Sequence, residues 1–189
     1  MPIETIVPDA TTTPNPAWSG NVASSLNTDD NTRTTCSTVG ESFVVSFGNL
    51  TSTIGSINSI TFSVIGHSGI FRGVLAVCTF SLLDSSNSSY GLNENINFTD
   101  ATINTTQAGT TRTTSDGSTA WTESDVNGIR MSVKYTSIAN PSSNINLDFL
   151  KIDVDYNAPV AAAPTYNTTV NNIHIGSGNV NVAGGNIFI

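Results

Sequence analysis

Residues 121–156 read WTESDVNGIRMSVKYTSIANPSSNINLDFLKIDVDY, and this stretch decides the fold class. It opens with a turn, Trp121-Thr122-Glu123-Ser124-Asp125-Val126-Asn127, where Thr122 and Asp125 have the spacing of a capped helical turn. Ile129, Met131, Val133 and Tyr135 then alternate with Arg130, Ser132, Lys134 and Thr136. Period-two alternation is the mark of a half-buried strand. A second run places Ile145, Leu147 and Phe149 on one face, then changes phase to Leu150, Ile152, Val154 and Tyr156. One residue of phase shift predicts a bulge or a twist. With Asn140-Pro141-Ser142-Ser143 between them, the two runs predict an antiparallel hairpin that closes a sheet.

The rest of the chain repeats this pattern. Residues 41–48 and 56–66 read as strands, the second with Ile60, Phe62 and Val64 on one face. Residues 71–83, FRGVLAVCTFSLL, read as a strand in the middle of a sheet or buried on both faces. Short strands are expected near 95–98 and 101–106, with a long polar connection over 109–117. No run carries a 3.6-residue apolar period, and Thr, Ser, Asn and Gly dominate the composition. The fold class is therefore all-β, an antiparallel β-sandwich of jelly-roll-like type.

Four units follow along the chain. Residues 1–20 contain Pro2, Pro8, Pro14 and Pro16 and predict an extended N-terminal arm, with an edge strand at Ile3, Ile6 and Val7. The sandwich spans 21–157, and residues 158–164 form an Ala/Pro linker. Residues 165–189 make a β-rich docking or oligomerisation tail. Its alternations, Ile173/Ile175, Val180/Val182 and Ile187/Ile189 together with Phe188, are too short to stand alone and call for a partner. A dimer or trimer is one expected outcome, docking on another protein's sheet edge a second.

Charge narrows the partners. Six Lys and Arg stand against 14 Asp and Glu, for a net charge of −8 and a pI of about 4.3. No basic stripe is present for nucleic acid or an anionic membrane. The start lacks a charged and apolar signal segment, and no apolar run reaches membrane-spanning length. The expectation is a chain kept inside the cell or released by lysis.

Candidate chemistry is sparse. Asp29-Asp30-Asn31 offers oxygens to a hard cation such as calcium, but Asp29 and Asp30 also suit a solvated turn. Trp18 and Tyr90 are the candidates for stacking on a glycan, against a tucked loop aromatic for Trp18; Trp121 is expected in the core. Cys36 and Cys78 read as two buried thiols or one disulfide. His67 in Gly66-His67-Ser68-Gly69 reads as a turn residue. Glu41, Glu94 and Glu123 have no spacing that pairs them for glycoside hydrolysis, and Asp148, Asp153 and Asp155 read as solvent-facing strand charges. No Ser-His-Asp set is supported at His67 or His174. No cofactor and no catalytic residue is expected.

Three segments carry a family resemblance. Ile57-Asn58-Ser59-Ile60-Thr61-Phe62-Ser63-Val64 is similar to a strand of jelly-roll modules found in structural proteins of tailed bacteriophages. Trp121-Thr122-Glu123-Ser124-Asp125-Val126-Asn127 resembles their tryptophan-containing turn, and Leu147-Asp148-Phe149-Leu150-Lys151-Ile152-Asp153-Val154 looks like their closing strand. The resemblance covers roughly residues 20–156 and brings no catalytic residues. It implies a non-enzymatic virion protein. The expected role is a capsid-decorating or cement protein, made in the host cytoplasm, whose terminal arms bind the major capsid protein or other virion proteins. A tail-fibre or carbohydrate-binding module for host recognition is the alternative.

Overall fold

The computed structural model describes residues 1–69, 76–99, 105–138 and 144–161. It is an antiparallel β-sandwich. The chain order is β1 (Ile3–Ile6), β2 (Pro8–Thr13), α1 (Val22–Leu26), β3 (Thr34–Cys36), β4 (Ser42–Phe47), β5 (Ser56–Ser68), β6 (Ala76–Leu83), β7 (Ser89–Phe98), β8 (Thr105–Ala108), α2 (Glu123–Asn127), β9 (Arg130–Ile138) and β10 (Ile145–Asn157). One sheet runs β1-β10-β5-β8, with β3 also on β10; the other runs β2-β4-β9-β6-β7. Successive strands change sheet at every link except the β6–β7 hairpin, which is jelly-roll-like wiring.

That wiring corrects one expectation. The runs at 129–135 and 145–156 do not form a hairpin: β9 pairs with β4 and β6, whereas β10 pairs with β1, β3 and β5. Both runs bury one face, and the two faces meet across the sandwich instead of lying side by side. The phase shift in β10 is a bulge at Asp148, where the register with β5 jumps between Leu147 and Phe149. Ile145 and Leu147 face the core before it, and Leu150, Ile152, Val154 and Tyr156 after it. Phe149 falls on the outer side, paired with Ile65.

The sheets are joined by side chains whose positions follow from the alternation. Phe62 of β5 stacks on Phe80 of β6 at 5.3 Å, one ring from each sheet. Tyr135, Phe43, Phe98 and Met131 are fully buried around them. Trp18 is 3% exposed and meets Phe43 edge to face at 4.7 Å. On the outer face of the second sheet the polar half of the alternation forms a ladder. Thr79 bonds to Asn95 and Thr136, and Ser81 donates to Asn93.

The prolines of residues 1–20 do not keep this segment apart from the sandwich. β1 and β2 are edge strands, one in each sheet, and Pro8 sits at the first residue of an edge strand, where no ladder donor is needed. Glu4 fastens β1, accepting from the Thr51 and Ser52 N–H groups at 2.6 and 3.1 Å and from the Thr51 hydroxyl. Residues 21–40, a polar stretch in sequence, contain α1 and β3. Val22, Ala23, Ser25 and Leu26 are buried, and the Thr11 hydroxyl accepts from the Ala23 N–H at the helix start. Five residues are too few to show a helical period.

β5 runs on through His67, which is buried in the strand and not in a turn; its Nδ1 lies 3.0 Å from the Ser68 carbonyl. The capped turn stands as expected. Thr122 Oγ1 accepts from the Asp125 N–H, and Asp125 Oδ2 accepts from the Thr122 N–H. Among the described residues no helix is long and apolar enough to cross a membrane.

Gly66 pairs with Leu147 beside the bulge, and a Cβ there would lie 2.5 Å from the Asn146 carbonyl oxygen and 2.9 Å from Leu147. Gly66→Ala is expected to destabilise by about 1–3 kcal/mol, because backbone must shift to admit the methyl. Urea denaturation read by tryptophan fluorescence checks this; an unchanged midpoint would remove the tight β5–β10 register.

Candidate functional site

Among the described residues a cleft of about 410 Å³ opens between the start of β7 and the connection after β8. It is lined by Tyr90, Gly91 and the run 110–117, TTRTTSDG, which the sequence reads as a plain connection. The run is tightly built. Gly109 N–H donates to the Phe62 carbonyl, and Arg112 and Ile60 exchange backbone hydrogen bonds at 2.8 and 2.9 Å, so the chain continues along β5. Trp121 Nε1 donates to the Arg112 carbonyl at 3.1 Å. A small hairpin follows, with Thr114 bridged to Ala120 and Gly117 in left-handed backbone at φ +87°. Asp116 holds its tip, accepting from the Ser118 and Thr119 N–H groups at 2.9 and 2.6 Å and from both hydroxyls. Those donors, the Thr119 N–H first, hold its carboxyl well below the usual range.

The other wall is braced by β7. Glu94 accepts from Arg112 Nη2 at 3.0 Å and Nε at 3.3 Å, and its second oxygen takes the Thr110 N–H at 2.7 Å. Tyr90 meets Trp121 edge to face at 5.1 Å, with its hydroxyl 3.4 Å from Asp125. Burial, then the nearby Asp125 carboxylate, pushes the Tyr90 phenol up to about 12. Of the two candidate stacking aromatics, Tyr90 lies at the cleft, whereas Trp18 is the tucked aromatic of its other reading, buried against Phe43 with no open ring face. Trp121 is in the core, as expected.

Asp29 and Asp30 lie on an exposed loop, and among the described residues no group of three His, Cys, Asp or Glu is placed to hold a metal ion. Asp30 is engaged in its own turn, accepting from the Thr32 N–H, which lowers its pKa. Asp84 does the same for Ser86 and Ser88. Acidic side chains with hydroxyl-rich neighbours thus act here as internal loop clamps.

Asp148 differs from the solvent-facing charge expected of it. The bulge turns it inward, and it is fully buried near Asp29, Asp30 and Arg33 and bonded by the Asn31 N–H. Burial first, then Asp29, raises its pKa. A raised carboxyl pKa in the folded state means the folded chain holds the proton more tightly, so this group's contribution is fully present below the unfolded pKa and is lost as pH rises through the folded value. Asp148→Asn keeps an acceptor for Asn31 and removes the charge. Its melting temperature relative to the parent chain should therefore rise with pH over the window that opens at the unfolded carboxylate value of about 4. Thermal scans across that window test this, and a constant difference would show that Asp148 ionises as freely folded as unfolded.

Cys36 and Cys78 are buried free thiols, and burial pushes both upward in pKa. A thiol reagent should label neither in the native chain, and both in denaturant without prior reduction. Labelling of the native chain would contradict this burial; no labelling in denaturant would reveal a disulfide.

The residues expected to bind a partner through the tail, Ile173, Ile175, Val180, Val182, Ile187, Phe188 and Ile189, all lie outside the described residues. His174 and the expected strand start at 101–104 lie outside them as well. Comparison with family models, curated proteins and solved structures finds no match for this chain.

Proposed function

We propose that this chain is a non-enzymatic structural protein of a bacteriophage particle, a capsid-decorating or cement protein that docks through residues 165–189. The observation that carries the proposal is where the sandwich ends. β10 has pairing partners along its length up to Asn157, and residues 158–161 beyond it are exposed, Val160 at 96%. Within the described residues the pairing of β10 runs to Asn157, and this reading assigns the apolar pairs Ile173/Ile175, Val180/Val182 and Ile187/Ile189 to a neighbour. Low charge and a hydroxyl-amide outer face suit a module displayed in many copies on a lattice, where many weak contacts act together. The virion assignment itself draws on the family resemblance of residues 20–156. Tail-fibre placement with host recognition is the second reading, favoured by the cleft beside Tyr90.

Removal of residues 162–189 is expected to leave the melting temperature of the sandwich within a few degrees of the full chain. The same truncation should abolish co-sedimentation with phage particles. Antibody labelling of intact particles by electron microscopy reports placement: label over the head supports decoration, and label at the distal tail supports host recognition. No label on any particle, or association that survives the truncation, would overturn docking through the tail.

A further inference from the structure

We propose that the cleft beside Tyr90 is a binding site for a neutral saccharide. This site is independent of the docking proposal, since none of its lining residues belongs to the tail. The argument begins with size. A cleft of about 410 Å³ is at the small end of ligand pockets, suited to a ligand of one or two sugar rings.

The lining chemistry selects the ligand class. Tyr90 supplies an aromatic ring held by Trp121, and aromatic rings stack against the C–H face of a pyranose. Thr110, Thr113 and Thr114 supply methyl groups and hydroxyls, and no hydrogen bond within the described residues occupies those hydroxyls. A surface of alternating methyl and hydroxyl groups matches a sugar edge, which alternates C–H and O–H in the same way. An apolar ligand would strip water from these hydroxyls without replacing it.

Charge excludes the competitors. Glu94 and Arg112 neutralise one another, so the wall of the cleft offers no uncompensated cation to a phosphate or an acidic sugar. Asp116 adds an exposed carboxylate at the rim, and the whole chain carries −8. An anion would meet repulsion both near and far. The site is also rigid, because the Glu94 bonds to Thr110 and Arg112 and the Asp116 bonds to Ser118 and Thr119 fix both walls before any ligand arrives. A preformed site loses little freedom on binding, which matters for a small ligand with few contacts.

The test uses the full chain and short oligosaccharides of glucose, galactose, mannose and N-acetylglucosamine, with uronic-acid oligomers as charged counterparts. Saturation-transfer NMR finds the binding series, and titration calorimetry gives its affinity. At least one neutral series is expected to bind saturably, with Kd in the roughly millimolar to micromolar range. Tyr90→Ala should weaken it about tenfold or more, and Tyr90→Phe should retain it, because the ring face and not the hydroxyl makes the contact. Tyr90→Ala also removes a partner of Trp121, so Thr113→Tyr, a bulky change at an exposed residue of the lining, serves as the second variant and should block binding with the fold intact. Both variants should still associate with particles, which separates this site from docking through the tail. No binding by any neutral series, undiminished binding in Thr113→Tyr, or tighter binding of the uronic-acid oligomers would each overturn the proposal.

Discussion

β10 must satisfy two edges and one core face at once, and the rest of the sandwich follows from how it does so. Its one edge is taken by β5 over nearly the whole strand, and the other is divided between β3 near Ile145 and β1 near Ile152. A strand without interruption would twist its apolar face away from the core along such a length. The bulge at Asp148 resets the side-chain phase, so Leu147 and Leu150 both point inward. That reset leaves a carboxylate buried. The Asp29-Asp30-Asn31 loop lies against that carboxylate and gives it one backbone N–H, so a turn that looks like a cation loop in sequence is part of the cover over a bulge.

The same use of acids runs through the molecule. Glu4, Asp30, Asp84 and Asp116 each accept backbone N–H groups of their own or a neighbouring loop, and in each the net effect is a lowered pKa. For Glu4, burial opposes that shift and the Thr51 and Ser52 bonds outweigh it. Four of the 14 acids in so lightly charged a chain thus serve loop construction as well as adding to its negative charge. Loops that are clamped in this way serve well as walls of a cleft, as the Asp116 hairpin does.

How far the sequence reveals the structure depends on what a local pattern can encode. Alternation at Ile129, Met131, Val133 and Tyr135, and the phase change in 145–156, show which residues share a face, and the sandwich class follows. They do not show which strand lies beside which, so β9 and β10 look like a hairpin while lying in opposite sheets. His67 is a turn residue by its glycine neighbours and a strand residue by its pairing with Asn146. Proline content separates residues 1–20 from the sandwich on paper, yet edge strands tolerate proline at positions that donate to no neighbour. The cleft is the least legible feature. Tyr90 alone is visible, because Glu94 and the run 110–117 meet it only through the folding of β7 against the chain that continues β8 along β5. Asp116, Thr113 and Arg112 look like composition until that approach is made.

The pairing of β1 with β10 has a consequence for how the molecule comes into being. Ile3 finds its partner at Asp155, so the first strand of the sandwich to be synthesised has nothing to pair with until almost all the others have been translated. β2, one residue further on, needs β4 and can settle much sooner. Closure of such a distant pair is slow, since the chain loses the freedom of a very long loop before the contact forms. The sandwich thus carries an unpaired strand edge while the strands between β1 and β10 are made. Exposed Ile3 and acidic Glu4 stand on that edge, and Glu4 supplies the charge that discourages two growing chains from adding their edges to each other before each has completed its own.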